Sequence, residues 1–169
     1  MSVALFHAAL FYGFGALAVV SALFMVGQRN PTYSAFAFIV TLVSLSAVFG
    51  LLGSPFIAVL QVIVYAGAIM VLFLFVLMLL NVKTEIRGEG RSGLFKMVAL
   101  ALGALLVAEV GSVLVASPPP MAAAFDASAR AVARLLFDVR YLYVFEATSI
   151  LILASLVGAI ALAKRDPSP

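Results

Sequence analysis

The chain has 169 residues, 66% of them hydrophobic and 10% charged, with a mean hydropathy of +1.26. Soluble domains carry about 25% charged residues, so a water-soluble fold of this length could not cover its apolar surface, and the solvent for this chain is lipid. With no cysteine and a single histidine, His7, the chain cannot build a disulfide, an iron–sulfur cluster or a multi-histidine haem or metal centre; its net charge of +3 is read through topology rather than as affinity for nucleic acid.

Five apolar runs follow one another, each of about 20 residues or more and so able to cross a hydrocarbon core of roughly 30 Å. The first covers about 3–26. No basic residue precedes its apolar core, so it is read as a retained helix rather than a cleavable signal. His7 stands near one edge of it, where a lone histidine is a solvated residue more often than a ligand. Asn30-Pro31 then forms an N-cap followed by proline at the first helical position, opening a second span over about 33–52. Thr41 and Ser44 share one face of that span, spaced to bond backbone or a neighbouring helix. Gly53-Ser54-Pro55 is a tight turn into the third span, about 56–80.

The third span is the most informative stretch of the sequence. It carries Gln61, Tyr65 and the pair Gly67-Ala68 where lipid would favour leucine or valine. Tyr65 lies one turn beyond Gln61 on the same face. Gly67 and Ala68 remove bulk just after it, which lets another helix approach closely, and the glycine also weakens helical preference enough to permit a kink or a π-bulge. Close packing and a moving part are both consistent with that spacing.

A polar loop with Gly88, Gly90 and Gly93 runs from Lys83 to Lys96, and a fourth span covers about 94–116 with Glu109 inside it. Ser117 and three prolines end that span. A surface helix is expected over about 121–137, because Phe125, Ala129, Val132 and Leu136 follow helical spacing while Arg130 and Arg134 lie on another face. The fifth span, about 141–163, contains Glu146 and a stripe of small residues, Ala147, Ala154, Gly158 and Ala161, of the kind that marks tight helix contact. Only helices fit these runs, since every backbone group must be paired within its own segment. The fold class is therefore all-α, a polytopic membrane protein of one domain.

Basic residues orient it. Arg29, Lys83, Arg87, Arg91, Lys96, Lys164 and Arg165 fall on one side, and Arg130, Arg134 and Arg140 on the other. The positive-inside rule then puts the N-terminus outside and the C-terminus in the cytoplasm. In this topology Gln61, Glu109 and Glu146 lie at similar depth, the two acids about 8–10 Å below the outer boundary at 1.5 Å per residue. They form a candidate polar patch, within this chain or against a neighbour. Acids in a bilayer usually face protein or a wet cavity. A proton relay and a protonated carboxylate that only bonds a neighbouring helix are both open readings.

Residues 61–81 resemble the third transmembrane helix of the subunit J family of bacterial proton-pumping NADH:quinone oxidoreductase, respiratory complex I, whose mitochondrial counterpart is subunit 6. The resemblance rests on Tyr65-Ala-Gly67-Ala68 followed by Val71-Leu-Phe-Leu-Phe75. Asn30-Pro31 is similar to the start of the family's second helix. Phe145-Glu146-Ala-Thr-Ser149 with Val157-Gly-Ala-Ile160 and Leu162-Ala-Lys-Arg165 is similar to its fifth. The resemblance implies a membrane-arm subunit in the bacterial inner membrane. Its implied partners are the other membrane subunits of complex I, namely the quinone-site H subunit, the small A and K subunits and the antiporter-like N subunit, with this chain between the quinone region and the antiporter-like subunits. It implies no cofactor in this chain: NADH, FMN, iron–sulfur clusters and quinone are held by other subunits. It further implies that the third helix switches between a bulged and a regular form, with Tyr65, Gly67 and Ala68 at the switch and Met70 to Phe75, Phe73 among them, in the segment that rotates to open or close a proton path. Glu146 matches the family's fifth-helix acid. Gln61 replaces a glutamate of several relatives and cannot carry its charge, Val144 stands where relatives often have proline, and Glu109 matches no family position. The alternatives from other classes are an autonomous small transporter or channel, or a purely structural linker.

Overall fold

The computed structural model describes residues 3–80, 93–116 and 127–164. The helices are α1 (Val3–Gly27), α2 (Pro31–Leu51), α3 (Pro55–Leu79), α4 (Gly93–Ala116), α5 (Ala129–Leu136) and α6 (Leu142–Ala163). Five of them, all but α5, are long and apolar enough to cross a membrane. The Lys83–Lys96 loop up to residue 92, the proline run after α4, Phe125 and the tail from Arg165 lie outside the described residues.

Local chemistry sets the turns between the first three spans. Asn30 is extended (φ −92°, ψ 119°), and its side-chain oxygen accepts from the Thr32 amide at 2.9 Å. Pro31 behind it needs no partner for a missing N–H. At the other end of α2, Gly53 has φ 77°, and its amide donates to the Gly50 carbonyl at 3.1 Å while that of Ser54 donates to Phe49 at 3.0 Å. This is a Schellman stop, in which a left-handed residue satisfies the last carbonyls of a helix. Pro55 then starts α3 at once.

α1, α2 and α3 pack as an antiparallel up-down-up unit. Ser21 meets Thr41, and Ser34 donates to the Met25 carbonyl at 2.9 Å, so residue numbers rise on α1 as they fall on α2. The seam is made of small residues, Ala18, Ser21, Ala35, Ala37 and Ser44 being buried. Where helices meet in lipid, dispersion and hydrogen bonds rather than water exclusion hold them, and small side chains let backbones approach. The Ser21 and Thr41 hydroxyls lie 2.9 Å apart, and Thr41 also donates to Ala37 at 3.1 Å. Ser44 donates back to Val40 at 2.7 Å. Ser46 reaches across to α3 and donates to the Ala58 carbonyl at 2.7 Å. Thr41 and Ser44 thus bond backbone and, for Thr41, the neighbouring helix.

α4 and α6 differ. Among the described residues neither makes an extended contact with the α1–α3 unit; the extended contact of α6 is with α5. Phe137 and Phe145 hold α5 to α6 edge-on, with centroids 4.9 Å apart. Of the surface helix expected over 121–137, residues 121–126 lie outside the described residues. Ser128 is extended (φ −65°, ψ 155°), and its hydroxyl accepts from the Ala131 amide at 3.3 Å, so Ser128 caps a helix over Ala129–Leu136. Arg130 and Arg134 are exposed on it, while Val132 and Leu136 are half-buried.

Candidate functional site

The middle of α3 is not an α-helix. Pro55–Leu60 is α-helical, Gln61–Ile69 is π-helical, and Met70–Leu79 is α-helical again. The Gln61 amide still donates to the Ile57 carbonyl, four residues back. The Met70 amide donates to Tyr65, five residues back, and the Leu80 amide donates to Val76, four back. One extra residue has been accommodated between Gln61 and Met70.

The packed face of α3 records the same insertion. The positions turned toward α2 are Ala58, Gln61, Ala66, Met70, Leu74 and Leu77, buried or half-buried in turn. Every step along that series is three or four residues except the one from Gln61 to Ala66, which is five. In a regular helix the face would continue from Gln61 to Tyr65 and then to Ile69. With 3.6 residues per turn, the extra residue turns everything beyond it by about 100° relative to what precedes it.

The packing at this face suits that register. Ala66 and Met70 lie in a cluster with Ala35 and Leu42 of α2, and Met70 is only 2% exposed. In a regular register Tyr65 rather than Ala66 would follow Gln61 on this face. The bulge leaves Tyr65 50% exposed instead. Gly67 suits the π turn for a second reason: a Cβ built on it would lie 3.2 Å from the Val62 carbonyl oxygen, five residues back. Ala68 is exposed beside it, and Phe73 is 48% exposed at the edge of an apolar cleft.

The acids do not join this site within the chain. Glu109 is exposed on α4, in a shallow groove made with Leu106, Val110 and Val113 of the same helix. Glu146 is exposed on α6, where its carbonyl accepts from Ser149 at 2.6 Å. Gln61 is half-buried against α2. The similar depth expected from the sequence therefore does not become contact, because among the described residues neither α4 nor α6 makes an extended contact with α3. Among the described residues, no three His, Asp or Glu side chains converge as a metal site. The partners of the bulge on α2, Ala35 and Leu42, were not singled out from sequence; the alanines at 35 and 37 were the available signal.

The sequence profile of the family "NADH-ubiquinone/plastoquinone oxidoreductase chain 6" matches residues 21–162. The chain belongs to this family. The profile runs from the second half of α1 to the last turn of α6 and so contains the whole of the π turn. The chain is 36% identical to NADH-quinone oxidoreductase subunit J of Rhodobacter capsulatus, over 92% of this chain and 80% of the relative. It is equally identical, 36%, to subunit J of Pseudomonas aeruginosa, over 92% of this chain and 96% of the relative. Subunit J of Escherichia coli strain K12 is 34% identical over 92% of this chain and 86% of the relative. The resemblance read from Tyr65-Ala-Gly67-Ala68 and its flanks is borne out. The chain is a chain 6/subunit J member of complex I, with five helices long and apolar enough to cross a membrane.

Proposed function

We propose that the chain couples quinone reduction elsewhere in complex I to proton movement, by switching α3 between its bulged and its regular register. The five-residue step from Gln61 to Ala66, with the Met70 amide on Tyr65, carries this reading. A nine-residue π stretch between two α-helical pieces is a local departure that can be removed by moving one residue's worth of backbone. Two registers separated by a few kcal/mol form a bistable element that a remote event can bias. Tyr65 and Gly67, with Ala68, form the hinge. Met70 and Phe73 ride on the segment that turns. Gln61 marks the fixed side of the hinge and carries no charge, so the helix acts as a gate rather than a proton carrier. Glu109 and Glu146 face neighbours and are polar contacts of the proton path only through them.

In this reading the N-terminus lies outside and the C-terminus in the cytoplasm of a bacterial inner membrane. The bare faces of α4 and α6, with Gly103, Gly111 and Gly158 open to any approach, suit a chain enclosed by others. Those neighbours are the quinone-site H subunit, the small A and K subunits and the antiporter-like N subunit. No redox centre belongs to this chain. The scattered acids speak against an autonomous channel. Tyr65→Phe and Gly67→Val in the intact enzyme test the reading. Reduced proton-to-electron stoichiometry or turnover is expected from both. Normal pumping and turnover in both would overturn it in favour of a structural linker.

A further inference from the structure

A cleft of 370 Å³ opens between the start of α2 and the second half of α3. Met25, Ser34 and Phe38 form one wall, and Met70, Phe73 and Leu77 the other. Its size falls within the range of about 300–1,000 Å³ that holds small apolar ligands. Its length says which kind. From Pro31 to Phe38 the cleft follows α2 for only about 10 Å at 1.5 Å per residue, a third of the roughly 30 Å hydrocarbon core. A helix packed lengthwise would need a groove down the whole span, whereas one acyl chain belongs to one leaflet. The hydroxyl of Ser34 is already given to the Met25 carbonyl at 2.9 Å, so the wall offers hydrocarbon and no free side-chain donor to a polar ring. Arg29 lies exposed in the turn between Met25 and Pro31, two of the residues that line the cleft. A guanidinium at the membrane edge pairs with phosphate in a forked, charge-assisted contact.

We infer that this cleft binds an acyl chain of an anionic phospholipid whose phosphate sits on Arg29, and that its occupancy holds α3 in the bulged register. The second half of this inference rests on the proposed switch. Met70, Phe73 and Leu77 all follow the π turn. Loss of the extra residue would turn them by about 100° and dismantle that wall. A ligand that fits one register only shifts the equilibrium toward it.

The test uses the intact enzyme in phosphatidylcholine vesicles with a trace of phosphatidylglycerol carrying a photoreactive group near the end of one acyl chain, and a matched phosphatidylcholine probe. The anionic probe is expected to label peptides around Phe38 and Phe73. Arg29→Gln should lower that labelling about five-fold without changing the zwitterionic probe's, Arg29→Lys should retain most of it, and Ser34→Phe should abolish it by filling the cleft. Equal labelling by both probes, indifference to Arg29→Gln, or labelling of a neighbouring subunit's helix seated in the cleft overturns the lipid site. The register is read with Ala35→Cys and Met70→Cys introduced together, since these positions share a cluster only when Met70 faces α2. Their cross-linking should rise when phosphatidylglycerol is added, and not when Arg29→Gln is also present. Expected labelling with unchanged cross-linking overturns the coupling to the bulge, while the pumping of Tyr65→Phe and Gly67→Val judges the switch on its own.

Discussion

Replacing Gly67 tests the hinge at its tightest point. Alanine favours any helical conformation over glycine by about 1 kcal/mol, and this term acts on bulged and regular registers alike. The Val62 carbonyl acts on one of them only. In the bulged register the new Cβ would sit 3.2 Å from that oxygen, and relieving the contact means moving backbone by a few tenths of an ångström. A backbone distortion of that kind costs on the order of 1 kcal/mol. Gly67→Ala should therefore shift the ratio of bulged to regular α3 about five-fold toward regular, since about 1.4 kcal/mol is tenfold. Gly67→Val adds two γ carbons fixed by one preferred rotamer, which leaves the Val62 contact fewer ways to relax, so its shift should exceed that of Gly67→Ala. Proton-to-electron stoichiometry in membrane vesicles, together with Ala35→Cys/Met70→Cys cross-linking, reads both effects in the assembled enzyme. Gly13→Ala on α1 is the control, because nothing lies within 4 Å of its Cβ direction. If Gly67→Val cross-links and pumps like the native enzyme while retaining assembly, the Val62 carbonyl does not hold the position open for glycine.

Three further outcomes are expected. Gly53→Ala forces a side chain into the left-handed conformation at φ 77° and should destabilise the α2–α3 turn by about 1–2 kcal/mol, seen as earlier loss of the subunit on detergent titration of the enzyme. Ser21→Ala and Thr41→Val remove the two sides of one 2.9 Å contact, so a double-mutant cycle on the same titration should give a coupling of about 0.6 kcal/mol, with zero coupling refuting the bond. Glu109→Gln and Glu146→Gln alter residues on helices that make no extended contact with each other, so their effects on pumping should combine additively; strong non-additivity would mean that neighbouring subunits bring the two acids together.

Much of this architecture was legible in the chain because lipid imposes long apolar runs. Asn30-Pro31 and Gly53-Ser54-Pro55 mark their turns through chemistry that acts within a few residues. The polar seam was half legible: Thr41 shows in the sequence as a bonding residue, but its partner Ser21 lies twenty positions away and only packing pairs them. The bulge is harder. Gly67 weakens a helix without saying where the extra residue goes, and the five-residue step from Gln61 to Ala66 has meaning only once both are known to face α2. The acids show the limit of depth arguments, since rise per residue gives height in the membrane and leaves rotation about the helix axis open. At the surface helix, Ala-rich spacing over 121–137 hid the cap at Ser128, whose hydroxyl takes the Ala131 amide and sets the first turn.

The proposed coupling stands or falls on whether α3 has two registers in the working enzyme. Its most direct test is the structure of the assembled membrane arm, at rest and during turnover, at a resolution that distinguishes the acceptor of the Met70 amide. One state is expected with that amide on Tyr65 and Met70 against Ala35. A second is expected with the amide on Ala66, the acceptor four residues back, and the segment beyond turned by about 100°. A Met70–Tyr65 bond retained in every state of the enzyme would contradict the switch.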